Sequence, residues 1–192
     1  MISKIKVPMS QPAFDTETEN YMFDVIKSGW WSQGKITEQF EKNLSEYFPS
    51  NAIVVNNGTS AITAALLAHG IKPGDKVVVP DYTFIATSSA AKIIGAEILV
   101  ADVDPNTLNV RPESIEKLVK ENDVKAVMIV DMAGLPVDLD PIIELSKRYK
   151  FVLIEDAAQA IGSEYKNKKI GSFEHTTTFS FTVAKIIQLL DL

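Results

Sequence analysis

The 192-residue chain contains no cysteine, which excludes a disulfide framework, thiolate catalysis and a cysteine-ligated metal. Its two histidines, His69 and His175, lie far apart in sequence, so a histidine-rich metal site is not expected. No apolar run reaches the roughly 20 residues that cross a bilayer. The segment Met1 to Ser10 is polar and carries no apolar signal region. These absences make the cytoplasm the expected location and argue against a membrane partner. Positive charge is also in deficit. With 19 Lys and Arg against 25 Asp and Glu, the net charge is −6, which argues against a nucleic-acid surface and leaves small polar ligands open. No repeat, low-complexity stretch or flexible linker interrupts the chain.

Apolar residues make up 46% of the chain and charged residues 23%, the balance of a soluble globular protein with a real core. Short Val/Ile-rich runs predict strands at Ala52–Asn56, Lys76–Val79, Glu97–Val100, Ala126–Val130, Phe151–Glu155 and Thr177–Phe181. Most are near-continuously apolar, as strands covered on both faces must be. Helical periodicity fills the gaps at Ser60–His69, Thr83–Ile94, Pro112–Glu121 and Asp140–Tyr149, with a short turn near Ala157–Ile161. Gly70 and Gly95 follow two of these helices, where a left-handed residue closes the last turn. The alternation predicts an α/β fold, three layers around a largely parallel sheet. Residues 1–50 differ and read as a helical segment. Thr16 and Glu19 have capping-box spacing, Gly29 is a stop, and a second helix carries Phe40, Leu44, Tyr47 and Phe48 on one face. Between them, Trp30 and Trp31 share a glycine-flanked turn and cannot both enter one core. Either one enters the core and the other covers a neighbour, or the loop lines a ligand pocket or a subunit contact.

Four constellations could carry chemistry, all at the carboxyl ends of predicted strands. Asn56-Asn57-Gly58-Thr59-Ser60 precedes an alanine-rich helix. Free amides and the positive end of the helix dipole there suit a phosphate, although capping by Thr59 or Ser60 explains the same residues. Pro80-Asp81-Tyr82-Thr83-Phe84 offers Phe84 either as a core residue or as a ring to stack on a flat ligand. Asp156 ends an apolar strand, as a cap or as the partner of a buried cation, with Gln159 close by if the chain turns there. Ser180 and Lys185 follow the last strand. A lone lysine is ordinarily a surface charge, but one set among Val183, Ala184, Ile186 and Ile187 can act as a nucleophile toward carbonyls. An acid after one buried strand and a lysine after the next are what a pyridoxal phosphate (PLP) enzyme needs. A nucleotide-binding Rossmann domain is a weaker reading, because the glycine fingerprint is missing.

Taken together, the runs resemble the DegT/DnrJ/EryC1/StrS family, the sugar-aminotransferase branch of the PLP-dependent fold-type-I enzymes. The matching runs include Trp31-Ser32-Gln33-Gly34, Asn57-Gly58-Thr59-Ser60-Ala61, Val79-Pro80-Asp81-Tyr82-Thr83-Phe84, Glu155-Asp156-Ala157-Ala158-Gln159-Ala160 and Phe179-Ser180-Phe181. The resemblance implies that Gly58, Thr59, Ser60 and Ser180 bind the cofactor phosphate and that Phe84 stacks on its ring. It implies that Asp156 pairs with the pyridinium nitrogen, that Gln159 contacts the ring hydroxyl side, and that Lys185 forms the Schiff base and then shuttles the proton. Trp31, Ser32 and Gln33 fall on the sugar side. The implied reaction moves an amino group from an amino acid, typically glutamate, to a keto group of a nucleotide-linked sugar, in a homodimer.

The resemblance also defines departures. Asp131 stands where the family usually has His. Glu174-His175 replaces the usual Gly-Asp and reads as a surface change. Beyond Lys185 the family continues with a Gly-rich turn and a strand that lies between the first and the sixth, whereas here Gln188 to Leu192 follow. The expectation is therefore a partial large domain over residues 51–192, an incomplete sheet, and no C-terminal small domain. An alternative to the enzyme is a non-catalytic remnant or interaction module that pairs an open sheet edge with another chain.

Overall fold

The computed structural model describes residues 15–182 and 184–187; Met1 to Phe14, Val183 and the tail Gln188 to Leu192 lie outside the described residues. Five strands form one wholly parallel sheet in the order β2-β1-β3-β4-β7: β1 (Lys76–Pro80), β2 (Glu97–Ala101), β3 (Val124–Val130), β4 (Val152–Asp156) and β7 (Thr176–Thr178). A two-residue hairpin pair, β5 (Glu164–Tyr165) and β6 (Lys168–Lys169), was not foreseen and sits apart from the sheet. The helices are α1 (Thr16–Ser28), α2 (Lys35–Tyr47), α3 (Gly58–Ala68), α4 (Ala86–Ile93), α5 (Pro112–Glu121) and α6 (Leu139–Tyr149).

The pleat sorts the core into two layers. Val77, Val79, Met128 and Ile154 face α3 and α4, where Ile62, Leu66, Ala90 and Ala91 bury against them. Val78, Val127, Ile129 and Leu153 face the other way, against Ile115 of α5 and Leu139 and Ile142 of α6. Residues on both sides of β1, β3 and β4 are therefore largely dry, which is why those strands are near-continuously apolar rather than alternating, whereas β2 at the sheet edge leaves Glu97 and Val100 exposed. Small residues on α3 and α4 let these helices lie close to the sheet. Truncating a fully buried residue such as Leu66 to Ala should cost about 2–5 kcal/mol.

Because β2 and β3 flank β1 on opposite sides, the chain reverses its direction of travel across the sheet there. Such a reversal opens a crevice at the carboxyl ends of the strands.

Several expectations need correction. Residues 52–56 form no strand. A ladder needs a partner, and among the described residues none adjoins this segment. A cavity of about 830 Å³ lies between it and β7, lined by both. The amides of Ala52 and Val54 instead donate to Ser45 Oγ (3.0 Å) and Glu41 Oε1 (2.8 Å) of α2. The last strand is shorter than expected, ending at Thr178, and α4 starts at Ala86 rather than Thr83. The cap of α1 is Asp15, whose carboxylate accepts from the Thr18 amide, not a Thr16–Glu19 box. Gly29 closes α1 in the left-handed region, as expected. Trp30 and Trp31 are both exposed rather than one being buried. The expected face of α2 does pack: Phe48 stacks on Phe179 at 4.6 Å and Phe40 meets Phe181 edge-on at 5.4 Å. Gly171 is required beside that stack. Its φ is +91°, and a Cβ would stand 2.9 Å from both Phe179 and Phe48.

Candidate active site

A cavity of about 370 Å³ opens at the carboxyl ends of the strands, lined by Gly58, Thr59, Phe84, Asp156, Gln159, Ser180 and Lys185 among others. Seven residues singled out in the sequence thus converge from four separate segments. Ser60 lines neither this cavity nor its neighbour. Trp31, Ser32 and Gln33 line the adjoining cavity of about 830 Å³, which shares Asn57, Gly58, Phe179, Ser180 and Thr182 with the first.

The amino end of α3 forms one wall. Asn57, not Thr59 or Ser60, is its cap: Asn57 Oδ1 accepts from the Ser60 amide at 2.8 Å and the Asn57 carbonyl accepts from Ala61. The first bond satisfies the orphan amide of Ser60 and the second opens the helical ladder, which leaves the amides of Gly58 and Thr59 for an anion. Gly58 also permits a close approach. A Cβ built on it would stand 3.1 Å from Ser180 Cβ and 3.3 Å from its hydroxyl. The helix start and the segment after β7 therefore meet in a cradle that a side chain would fill.

Asp156 closes the floor. It is the last residue of β4 and points toward α4, because the pleat puts it on the face of Ile154. Its Oδ1 accepts from the Ala158 amide (3.1 Å) and its Oδ2 from the Thr87 hydroxyl (3.0 Å). Burial pushes its carboxyl above the ordinary carboxylate value, while these two bonds and the Lys185 ammonium pull it back down. Thr87 has one proton and donates it to Asp156, so its oxygen takes the proton of Thr83, 2.8 Å away.

Gln159 is not on a helix. Its Oε1 accepts from the Ala133 amide at 2.8 Å, which ties the loop after β3 to the site and leaves its amide group as donor. Phe84 is 67% exposed, a ring beside the cavity rather than a core residue.

Sequence reasoning missed three features. Thr87 is fully buried; the available signal was a hydroxyl on the apolar face of α4, one turn after Thr83. Asn109 bridges the loop after β3, accepting from Met132 and donating to Leu135. The change at His175 is not a surface change. Its side chain is 7% exposed and its Nε2 lies 3.2 Å from the buried Glu155 carboxylate.

The family model for the DegT/DnrJ/EryC1/StrS aminotransferases matches residues 12–191. A GDP-perosamine synthase of Caulobacter vibrioides is 38% identical over 184 residues, 95% of this chain and 49% of that protein. Among solved structures, an aminotransferase from Psychrobacter cryohalolentis superposes with a TM-score of 0.87 at 37% identity, over 94% of this chain and 47% of that one. The PLP form of a candidate sugar aminotransferase from Streptococcus pneumoniae gives a TM-score of 0.87 at 28% identity, over 95% and 50%. The chain spans about half the length of the relatives it matches.

Proposed function

Because the chain belongs to the DegT/DnrJ/EryC1/StrS aminotransferase family, we propose that its cavity holds pyridoxal 5′-phosphate for amino transfer to a nucleotide-linked sugar. The donor is an amino acid, glutamate in this reading, and the acceptor is a keto group on the sugar. The observation that carries it is the placing of Asp156 and Lys185 on one cavity of about 370 Å³ with Phe84 and the Gly58-Thr59 turn. The residues fit the group. The cradle at Gly58 and Ser180 suits a phosphate, Phe84 a flat ring, and the carboxylate of Asp156 a protonated ring nitrogen.

When bound, this cofactor supplies an electron sink for the bond broken at the amino-acid Cα. The chain's own residues do the rest. The amides of Gly58 and Thr59 and the hydroxyl of Ser180 hold the phosphate. Asp156, fixed by Thr87 and Ala158, keeps a proton on the ring nitrogen. Lys185 would hold the cofactor through Nζ and would carry a proton at the amino-acid Cα. Gln159 donates toward the ring hydroxyl side. Trp31, Ser32 and Gln33, in the adjoining cavity, are placed for the sugar. The exposed aromatics Tyr21, Phe23 and Trp30 offer a surface to a second copy of the chain.

The test is absorbance of the purified chain titrated with PLP. A visible band is expected, fixed by borohydride on the peptide containing Lys185 and lost in Lys185→Ala. No band in the wild type at large PLP excess overturns the reading.

A second reading rests on the opening of about 830 Å³ between residues 51–57 and β7. Extended backbone beside an open strand edge accepts a strand from another polypeptide, and the chain is then an interaction module. A chain that binds no PLP but self-associates through that edge would favour it.

A further inference from the structure

Behind the cofactor face of the sheet lies a second buried polar cluster that the proposed chemistry does not use. The pleat sends Asp156 toward α4 and its neighbour Glu155 the opposite way. Glu155 is fully buried. Its Oε2 accepts from Thr177 Oγ1 at 3.0 Å and lies 3.2 Å from His175 Nε2. Its Oε1 has no partner among the described groups. Asp131 follows β3 on the same face and is also fully buried. Its Oδ1 accepts from the Val137 amide at 3.0 Å, and its Oδ2 has no partner among the described groups.

Two orphan acceptors on neighbouring strands cannot satisfy one another while both carboxyls are ionised. One proton between them turns a mutual repulsion into a donor and an acceptor and removes both vacancies. The electrostatics agree: burial, and after it the charge of Glu155, push Asp131 up to about 8. The other charged groups nearby are few. Asp156 lies on the far face of β4 and adds a smaller push. His175 is engaged by Glu155. Asp138 and Asp140 at the start of α6 are tied at the surface to Tyr165 and Lys166, and Lys125 of β3 pairs with Asp123.

We propose that Asp131 and Glu155 share one proton, and that this acid pair is a positioning device for Asp156. The pair sits where the main chain is also stitched. The Asp131 amide donates to the Asp156 carbonyl at 3.2 Å, Thr178 Oγ1 donates to the Glu155 carbonyl at 3.3 Å, and the Ala157 amide donates to the Thr178 carbonyl at 2.9 Å. Residues 131, 155–157 and 177–178 thus form one bonded block under the cavity. The carboxylate that reaches the cavity is fixed by what its neighbour binds on the opposite face. The shared proton stands independently of the proposed function; the positioning role rests on it.

Two measurements separate the parts. Infrared spectroscopy of the chain in D₂O should show a protonated carboxyl band at about pH 6, where ordinary carboxyls are ionised. The band should fade as the pH rises through about 8. It should vanish in Asp131→Asn, whose amide donates to Glu155 without a titrating proton, and persist in Asp156→Asn. Absence of the band in the wild type, or its survival in Asp131→Asn, overturns the shared proton. Neither result needs the cofactor.

For positioning, Asp131→Asn should keep wild-type PLP affinity and band position. Asp131→Leu, which cannot bridge to Glu155, should shift the band and its pH titration and weaken binding about tenfold. A folded Asp131→Leu with unchanged affinity and spectrum overturns the positioning role; should it not fold, the same comparison is made with Glu155→Gln against Glu155→Leu. A wild type that shows the infrared band but binds no PLP refutes the proposed function and leaves the acid pair standing.

Discussion

Thr87 and Asp156 are joined by a hydrogen bond of 3.0 Å that runs from the first turn of α4 to the end of β4. The bond is buried at both ends, so removing its donor leaves a carboxylate oxygen dry and unmatched. Such a loss costs about 1–3 kcal/mol. Thr87→Val keeps the shape and deletes the hydroxyl. It should push Asp156 still higher and weaken PLP binding by roughly tenfold or more, while Thr87→Ser, which keeps the donor, should stay near wild type. Absorbance titrations of the two variants side by side check this, and equal affinities would show that Asp156 does not depend on Thr87.

Gly58 separates a folding effect from a binding effect. A methyl there would stand 3.1 Å from Ser180 Cβ, closer than side chains normally sit, so Gly58→Ala should push the helix start away from the segment after β7. Alanine is nevertheless favoured over glycine within a helix by up to about 1 kcal/mol. The melting temperature should therefore hold or rise while PLP affinity falls. A parallel loss of both would place the effect in folding rather than in the phosphate cradle.

Glu41 holds a segment that has no sheet of its own. Its carboxylate takes the Val54 amide across 13 residues of sequence at 2.8 Å, and a bond to a charged group contributes about 1.5–3 kcal/mol. Glu41→Ala should speed hydrogen exchange at Val54 by about 10-fold to 100-fold and leave the buried amides of β3 unchanged. Exchange read by NMR distinguishes this local release from general loosening, in which β3 would accelerate too.

The parts of this fold that were legible in sequence are those whose neighbours are supplied by the chain itself. β1, β3 and β4 emerge from near-continuous apolar runs because both their faces are covered by helices of the same chain. Residues 52–56 have the same apolar composition and fail, because a strand is a pairing, not a composition, and no ladder partner adjoins them among the described residues. Asp156 and Lys185 were legible as an acid and a lysine that follow successive strands, and both line one cavity. Thr87 was not, because a hydroxyl on an apolar helix face acquires meaning only when β4 is seen to present a carboxylate to it. Asp131 and His175, two places where the chain departs from the resemblance, looked unrelated at 44 positions' separation (175 − 131). Both turn out to border the same buried carboxylate, Glu155.

The stabilisation that the cofactor gives should grow with pH, against a chain that by itself loses stability as the pH rises. Burial raises Asp156 above its ordinary 3.8 and raises Asp131 from 3.8 to about 8. An acid that holds its proton more tightly when folded contributes its stabilisation fully below the unfolded value and loses it as the pH rises through the folded one. Without ligand, both groups should therefore make the chain progressively less stable from about pH 4 upward, with the Asp131 contribution exhausted beyond about pH 8. A protonated ring nitrogen against Asp156 favours the ionised carboxylate instead. Added PLP should thus stabilise the chain more at about pH 8 than at about pH 5, through Asp156 rather than Asp131. Thermal melts across that range, with and without PLP, check the prediction. In Asp156→Asn the pH dependence of the ligand's effect should largely disappear. Equal stabilisation by PLP at both pH values in the wild type would mean that Asp156 does not meet a cation in the bound state.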